Sequence, residues 1–206
     1  QSIEEYLDQP DLYGEKFIPN IDEYATILAI ADAGFKIVQR KTSRSILLDW
    51  NVTLEEVNTN LDLTIQFQNE ILKRKCDDEY EASISPDIWF TERTPIDLLV
   101  YSTITLGMNN KFSDWLDEYA KNCIDTTNQM YHHVVYLPAG HFSVEKDGVR
   151  GHNKFYSTMV DATMERFYNY YLPSPLLTVV DTPSLGDRIS RIYDLLEFKS
   201  DSKKYD

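Results

Sequence analysis

Apolar residues recur along this chain in two rhythms, and each rhythm predicts a different element. One is helical, with neighbours three or four positions apart. Its strongest instance is residues 61–80 (LDLTIQFQNEILKRKCDDEY), where Leu61, Ile65, Phe67, Ile71 and Leu72 share a broad face opposite the charges. Residues 43–50 (SRSILLDW) keep that spacing up to a break at Asn51. Thr53, followed three positions later by Glu56, carries the signature of a capped helix start. Pro95 predicts a helix over 95–106 with proline in its first turn, and residues 112–122, 155–171 and 185–198 are helical by pattern. The other rhythm is the short unbroken apolar run, at 35–38 (FKIV), 88–91 (IWFT), 134–137 (VVYL) and 176–180 (LLTVV). Each of these reads as a strand. Residues 24–30 (YATILAI) fit either a buried strand or the middle of a helix over 22–33 ended by Gly34.

Short apolar strands separated by helices of ten or more residues imply parallel strands joined by right-handed crossovers. The expected fold is therefore α/β, a three-layer sandwich with a mostly parallel sheet between helices. Residues 1–23 are acidic and broken by Pro10, Gly14 and Pro19, which reads as an arm ahead of a domain over 24–206. Ligands of such folds sit at the carboxyl ends of the strands, so residues 91–94, 138–141 and 181–184 are where chemistry is expected.

Composition narrows the picture. The 206 residues carry 20 Lys+Arg against 34 Asp+Glu, a net charge of −14, and 42% of them are hydrophobic. That is enough apolar material for one large domain. The charge disfavours a protein that holds nucleic acid by general phosphate neutralisation. Basic residues still cluster at Arg40, Lys41 and Arg44 and at Lys73, Arg74 and Lys75, the latter run reading as a solvated helix face. No apolar run approaches the ~20 residues that cross a bilayer, and the start lacks the pattern of a secretory signal. Cys76 and Cys123 have no metal-ligand spacing and read as reduced thiols of a cytoplasmic protein. His132, His133, His141 and His152 likewise lack such spacing and read as surface residues, so no protein metal site is expected.

At the end of the second predicted strand stand Glu92 and Arg93, then Pro95, Asp97 and Tyr101 (DIWFTERTPIDLLVY). This stretch resembles the (D/E)R signature of P-loop nucleoside and nucleotide kinases. Three others agree in order: FKIVQRKTSR at 35–44, FQNEIL at 67–72, and DGVR at 147–150. The resemblance spans about residues 35–198 and is closest to the small AAA-type kinases often found in phages. It implies ATP-dependent phosphoryl transfer to a nucleoside or nucleoside monophosphate, with Mg²⁺ as the second cofactor. Such transfer needs positioning and charge neutralisation more than covalent help. On this resemblance the catalytic set is Glu92, Arg93 and Arg150. Glu92 would orient or deprotonate an acceptor hydroxyl, or hold water around Mg²⁺. Arg150 would close with a lid around 139–154. Arg44, Gln68 and Asp97 would form the substrate set, with Arg93 and Arg44 gripping the acceptor and Gln68 reading a base edge, and Arg188 would clamp the nucleotide.

Outside that resemblance, a Glu-Arg pair at a strand end is a surface ion pair, and the aromatic residues of 155–171 are packing. One departure stands out. The glycine-rich GxxxxGK(S/T) loop that cradles phosphates occurs nowhere in the sequence. If YATILAI is the first strand, a stretch is missing near Ile30 and Ala31. The rival expectation is a loop-less relative acting as a binding or structural module. A kinase for a hydroxymethylated base in phage DNA is a further reading, provided that the basic clusters merge into one groove. A homodimer is compatible with all of these.

Overall fold

The computed structural model describes residues 21–38, 43–138 and 154–202. Helix α1 spans Ile21–Asp32 and stops where Gly34 takes a φ of +90°, a conformation that glycine adopts without steric penalty. The helix runs unbroken through Ile30 and Ala31, with Ala33 N–H bonded to Ala29 O at 3.2 Å and Gly34 N–H to Ala31 O at 2.9 Å. The strand reading of YATILAI is thus corrected, and with it the expectation of a missing stretch at that point. The boundary expected at residue 23 falls inside this helix.

Strand β1 (Lys36–Ile37) leads to α2 (Ser43–Trp50) and α3 (Leu54–Thr59). The latter opens with the capping box expected from Thr53 and Glu56, each side chain bonding the other's backbone N–H. Helix α4 (Leu61–Ser83) is the long helix of the sequence pattern, extended by three residues. Then follow β2 (Trp89–Phe90), α5 (Pro95–Leu106), α6 (Ser113–Met130), β3 (Val134–Tyr136), α7 (Lys154–Tyr171), β4 (Leu177–Val179) and α8 (Leu185–Ser202). Helix α5 is the most apolar of the short helices. Ile96, Leu98, Leu99, Val100 and Leu106 are all buried, so it serves as the central post against which α4, α6 and α7 pack.

The α/β character and the parallel pairing are as expected, but among the described residues the single sheet is not formed. The strands make two parallel pairs, β1 with β2 and β3 with β4, each two or three residues long. The molecule is mostly helical. Core residues gather in groups that follow this division. Ile96, Val134, Tyr136, Tyr168 and Leu172 join β3 to α5 and α7. Ile46, Leu47, Val57 and Phe67 seal α2 and α3 onto α4. Leu98, Leu99, Tyr119 and Cys123 seal α5 onto α6. No helix among the described residues is long and apolar enough to cross a membrane.

Candidate functional site

Between the two strand pairs lies a cavity of about 780 Å³. It runs from residues 85–87 and 130–133 at the amino ends of β2 and β3 to Glu92, Arg93, Asp97 and Leu137 at their carboxyl ends. The site is best built from the second strand end, where the sequence placed its chemistry.

The anchor comes from α4. Lys75 and Glu79 stand one turn apart on its inward face, each 3% exposed. Lys75 Nζ donates to Glu79 Oε1 at 2.5 Å and to the carbonyl oxygen of Glu92 at 3.3 Å. The Thr91 hydroxyl donates to the same carboxylate oxygen and the Tyr131 hydroxyl to the other. The Lys75 ammonium also lies 5.6 Å from the centre of the Tyr131 ring. A buried ion pair is tolerated when further hydrogen bonds satisfy it, and this one is satisfied by groups from the end of β2 and the approach to β3. Its bond to the Glu92 carbonyl also fixes the peptide immediately ahead of Arg93.

Arg93 has a φ of 62°. The left-handed region costs a non-glycine residue roughly 1–2 kcal/mol, and such strain concentrates where a side chain must be aimed. Its guanidinium donates to the Tyr101 hydroxyl at 2.9 Å and lies 5.8 Å from that ring's centre. The next residue, Thr94, caps α5. Asp97 Oδ2 accepts the Thr94 N–H at 2.6 Å, the Thr94 hydroxyl at 3.0 Å and the Tyr168 hydroxyl at 2.6 Å. Burial, with the Asp97 charge beside it, pushes the Tyr168 phenol well above its ordinary range.

Glu92, Arg93 and Asp97 therefore come together on one wall, with Asp97 already engaged as a cap. The other expected site residues stand apart from them. Gln68 is 8% exposed beneath α6, its backbone carbonyl accepting the Tyr119 hydroxyl at 3.1 Å, and its side-chain oxygen Oε1 is buried with no hydrogen-bond partner. Arg44 sits half-buried at the start of α2 and does not line the cavity. Arg188 is 2% exposed and donates from Nε to the carbonyl of Thr182 at 2.8 Å, which holds the turn before α8. Arg150, most of the expected lid, Arg40, Lys41, His141 and His152 lie outside the described residues.

Two surface readings are corrected. The run 73–75 is not a uniform solvated face: Lys75 is buried, and Arg74 bridges Glu70 and Asp49, both at 2.7 Å. His133 is half-buried, its Nε2 2.8 Å from Thr178 Oγ1, which links β3 to β4. The expectation of packing aromatics holds for Tyr168 and fails for Phe155 and Tyr170, which are largely exposed. Thr91 lies in the strand-end stretch 91–94 where chemistry was expected, and the residues that sequence reasoning missed are Lys75, Glu79, Tyr131 and Tyr168. The only signal was the Lys75 and Glu79 spacing of four, which any solvated helix shares.

The fit to ATP and Mg²⁺ is poor in the described part of the molecule. The sequence has no glycine-rich phosphate loop, α1 runs through Ile30 and Ala31, and Arg188 is engaged within its own turn. Among the described residues, no group of three or more His, Cys, Asp or Glu could hold a metal ion. Compared with family models, curated proteins and solved structures, the chain matches none.

Proposed function

We propose that the chain binds a nucleoside or nucleoside monophosphate at the carboxyl end of β2, as the acceptor site of an ATP-dependent, Mg²⁺-dependent phosphotransferase. The observation that carries this reading is Arg93, held in a strained left-handed conformation beside Glu92 on the wall of a cavity. A guanidinium matches the paired oxygens of a phosphate. The Glu92 carboxylate can accept a hydrogen bond from a sugar hydroxyl and so orient it. Asp97 acts one step back, fixing the Thr94 turn on which both side chains stand. The donor chemistry has no counterpart in the described residues, so the reading rests on the acceptor half alone.

The absent phosphate loop favours a second reading, a binding module with the same acceptor site and no transfer. Calorimetry with a panel of nucleosides and nucleoside monophosphates, followed by a transfer assay with Mg-ATP, separates the two. Binding weakened tenfold or more by Arg93→Ala is expected on both, since a charged hydrogen bond contributes about 1.5–3 kcal/mol. Phosphorylated product supports the phosphotransferase. Binding without product supports the module, and no binding by the folded protein rejects both.

A further inference from the structure

A two-stranded parallel sheet is incomplete as it stands, because parallel strands normally lie inside wider sheets covered on both faces and an open edge exposes a row of peptide groups. Here two such pairs flank one cavity. Residues 85–94 and 130–137 line it without a break. A sheet face would contribute alternate residues, because successive side chains point to opposite sides; an unbroken run marks a strand edge. The ladders agree. Val38 donates its N–H to Phe90 O at 2.9 Å, so Phe90 turns its peptide groups to β1 and Trp89 and Thr91 turn theirs the other way. Val180 donates to Tyr136 O at 2.9 Å, so Tyr136 faces β4 while Val135 and Leu137 face away from it. Neither outer edge is paired with a described strand. Helices close the remaining sides through Ile27 and Ile30 of α1, Met164 of α7, and Ile192 and Leu195 of α8.

We propose that this cavity is a slot for one further β-strand, an extended apolar segment of polypeptide from outside these 206 residues, which lies between β2 and β3 and joins the two pairs into one sheet. Charge selects the occupant. The charged lining residues Asp87, Glu92, Arg93 and Asp97 stand at the ends of the slot and Glu79 is paired with Lys75, whereas the middle is uncharged, as a strand covered on both faces requires. The sequence selects its source. Outside the described residues, no stretch of this chain has more than two consecutive apolar residues, which suits no doubly buried strand. The inference is independent of the nucleotide reading, which concerns only the carboxyl end of the slot.

The test uses the full chain and a fluorescein-labelled peptide with a core of five valine and isoleucine residues between lysine pairs. Two control peptides carry N-methyl groups on alternate core amides, one in each phase. Saturable binding by anisotropy is expected, at least tenfold weaker for one or both methylated peptides, with amide exchange at Trp89, Thr91, Val135 and Leu137 slowed at least tenfold in the complex. Absence of saturable binding would overturn the proposal. So would equal binding of all three peptides, or binding without protection of those four amides. The nucleotide titration is read separately, so either idea can fail while the other stands.

Discussion

At the scale of single residues, the molecule places its costs around the end of β2. Arg93→Gly removes the left-handed penalty of roughly 1–2 kcal/mol and adds the backbone entropy of glycine, about 0.5–1 kcal/mol. Because Arg93→Gly and Arg93→Ala both lose the guanidinium bond to Tyr101, the glycine variant is expected to be more stable than the alanine variant by about 0.5–1 kcal/mol in urea unfolding, while both bind nucleoside monophosphate at least tenfold more weakly than the unaltered protein. A gap of that sign would show that the backbone at this position is strained. Lys75→Met is the opposite case. It leaves the Glu79 carboxylate buried without its cation, and a broken buried pair costs about 3–5 kcal/mol. The double variant with Glu79→Gln should recover most of that loss by the same measurement. Gln68 offers a third test. Because its buried side-chain oxygen has no partner, Gln68→Met is expected to stabilise the protein by about 1 kcal/mol. If Gln68 instead reads a base edge, the same variant would lose affinity. None of these three environments is written in the sequence, because strain, buried pairing and an orphaned acceptor are all set by neighbours distant along the chain.

At the scale of elements, caps and periodicity carried the fold well. The helix over 95–106 has the bounds that Pro95 and the apolar spacing predict, and the box at Thr53 and Glu56 forms as the spacing of three requires. Local chemistry decides such features, which is why they are legible. The two capping boxes should nonetheless differ in weight. The Thr53 box is exposed, and Thr53→Ala is expected to cost about 1 kcal/mol. Asp97→Ala leaves the buried Thr94 and Tyr168 hydroxyls only each other, 3.0 Å apart, so one O–H and the Thr94 N–H lose their acceptor, and the cost should exceed that of Thr53→Ala by about 1–3 kcal/mol in denaturant unfolding. The inward face of α4 shows where periodicity stops helping. Ile65 and Leu61, expected inside, are only partly buried, while Lys75 and Glu79 are buried. A helical wheel counts hydrophobicity and cannot see a carboxylate neutralised from another element. YATILAI stays open between strand and helix for a related reason, since a short apolar run suits a buried helix as well as a buried strand, and the helix ended by Gly34 is the one formed.

At the scale of the whole molecule, the aromatic core sets the response to pH. Burial pushes the phenols of Tyr119 and Tyr168 well above their ordinary range and raises the Cys123 thiol to about 12. The folded protein therefore keeps protons that the unfolded chain releases from about pH 9 upward, so unfolding releases protons and is favoured by alkali. Stability should be level through neutrality and then fall. Each group that is ionised only in the unfolded chain contributes about 1.4 kcal/mol per pH unit. Urea titrations at a series of pH values between 8 and 11 check this, and a flat profile would mean that these groups are solvated.

The sequence by itself determined the helices after α1, their caps, the parallel α/β alternation and the position of Glu92 and Arg93 at a strand end, because each follows from spacing and turn chemistry within a dozen residues. Only the tertiary structure decided between the strand and helix alternatives for α1. It also decided that Lys75 and Glu79 are buried beneath the site, and that the strands form two pairs around a slot. The physical reason is the same in each case: burial and strand pairing join residues far apart in the chain, and no local pattern encodes which partner is present.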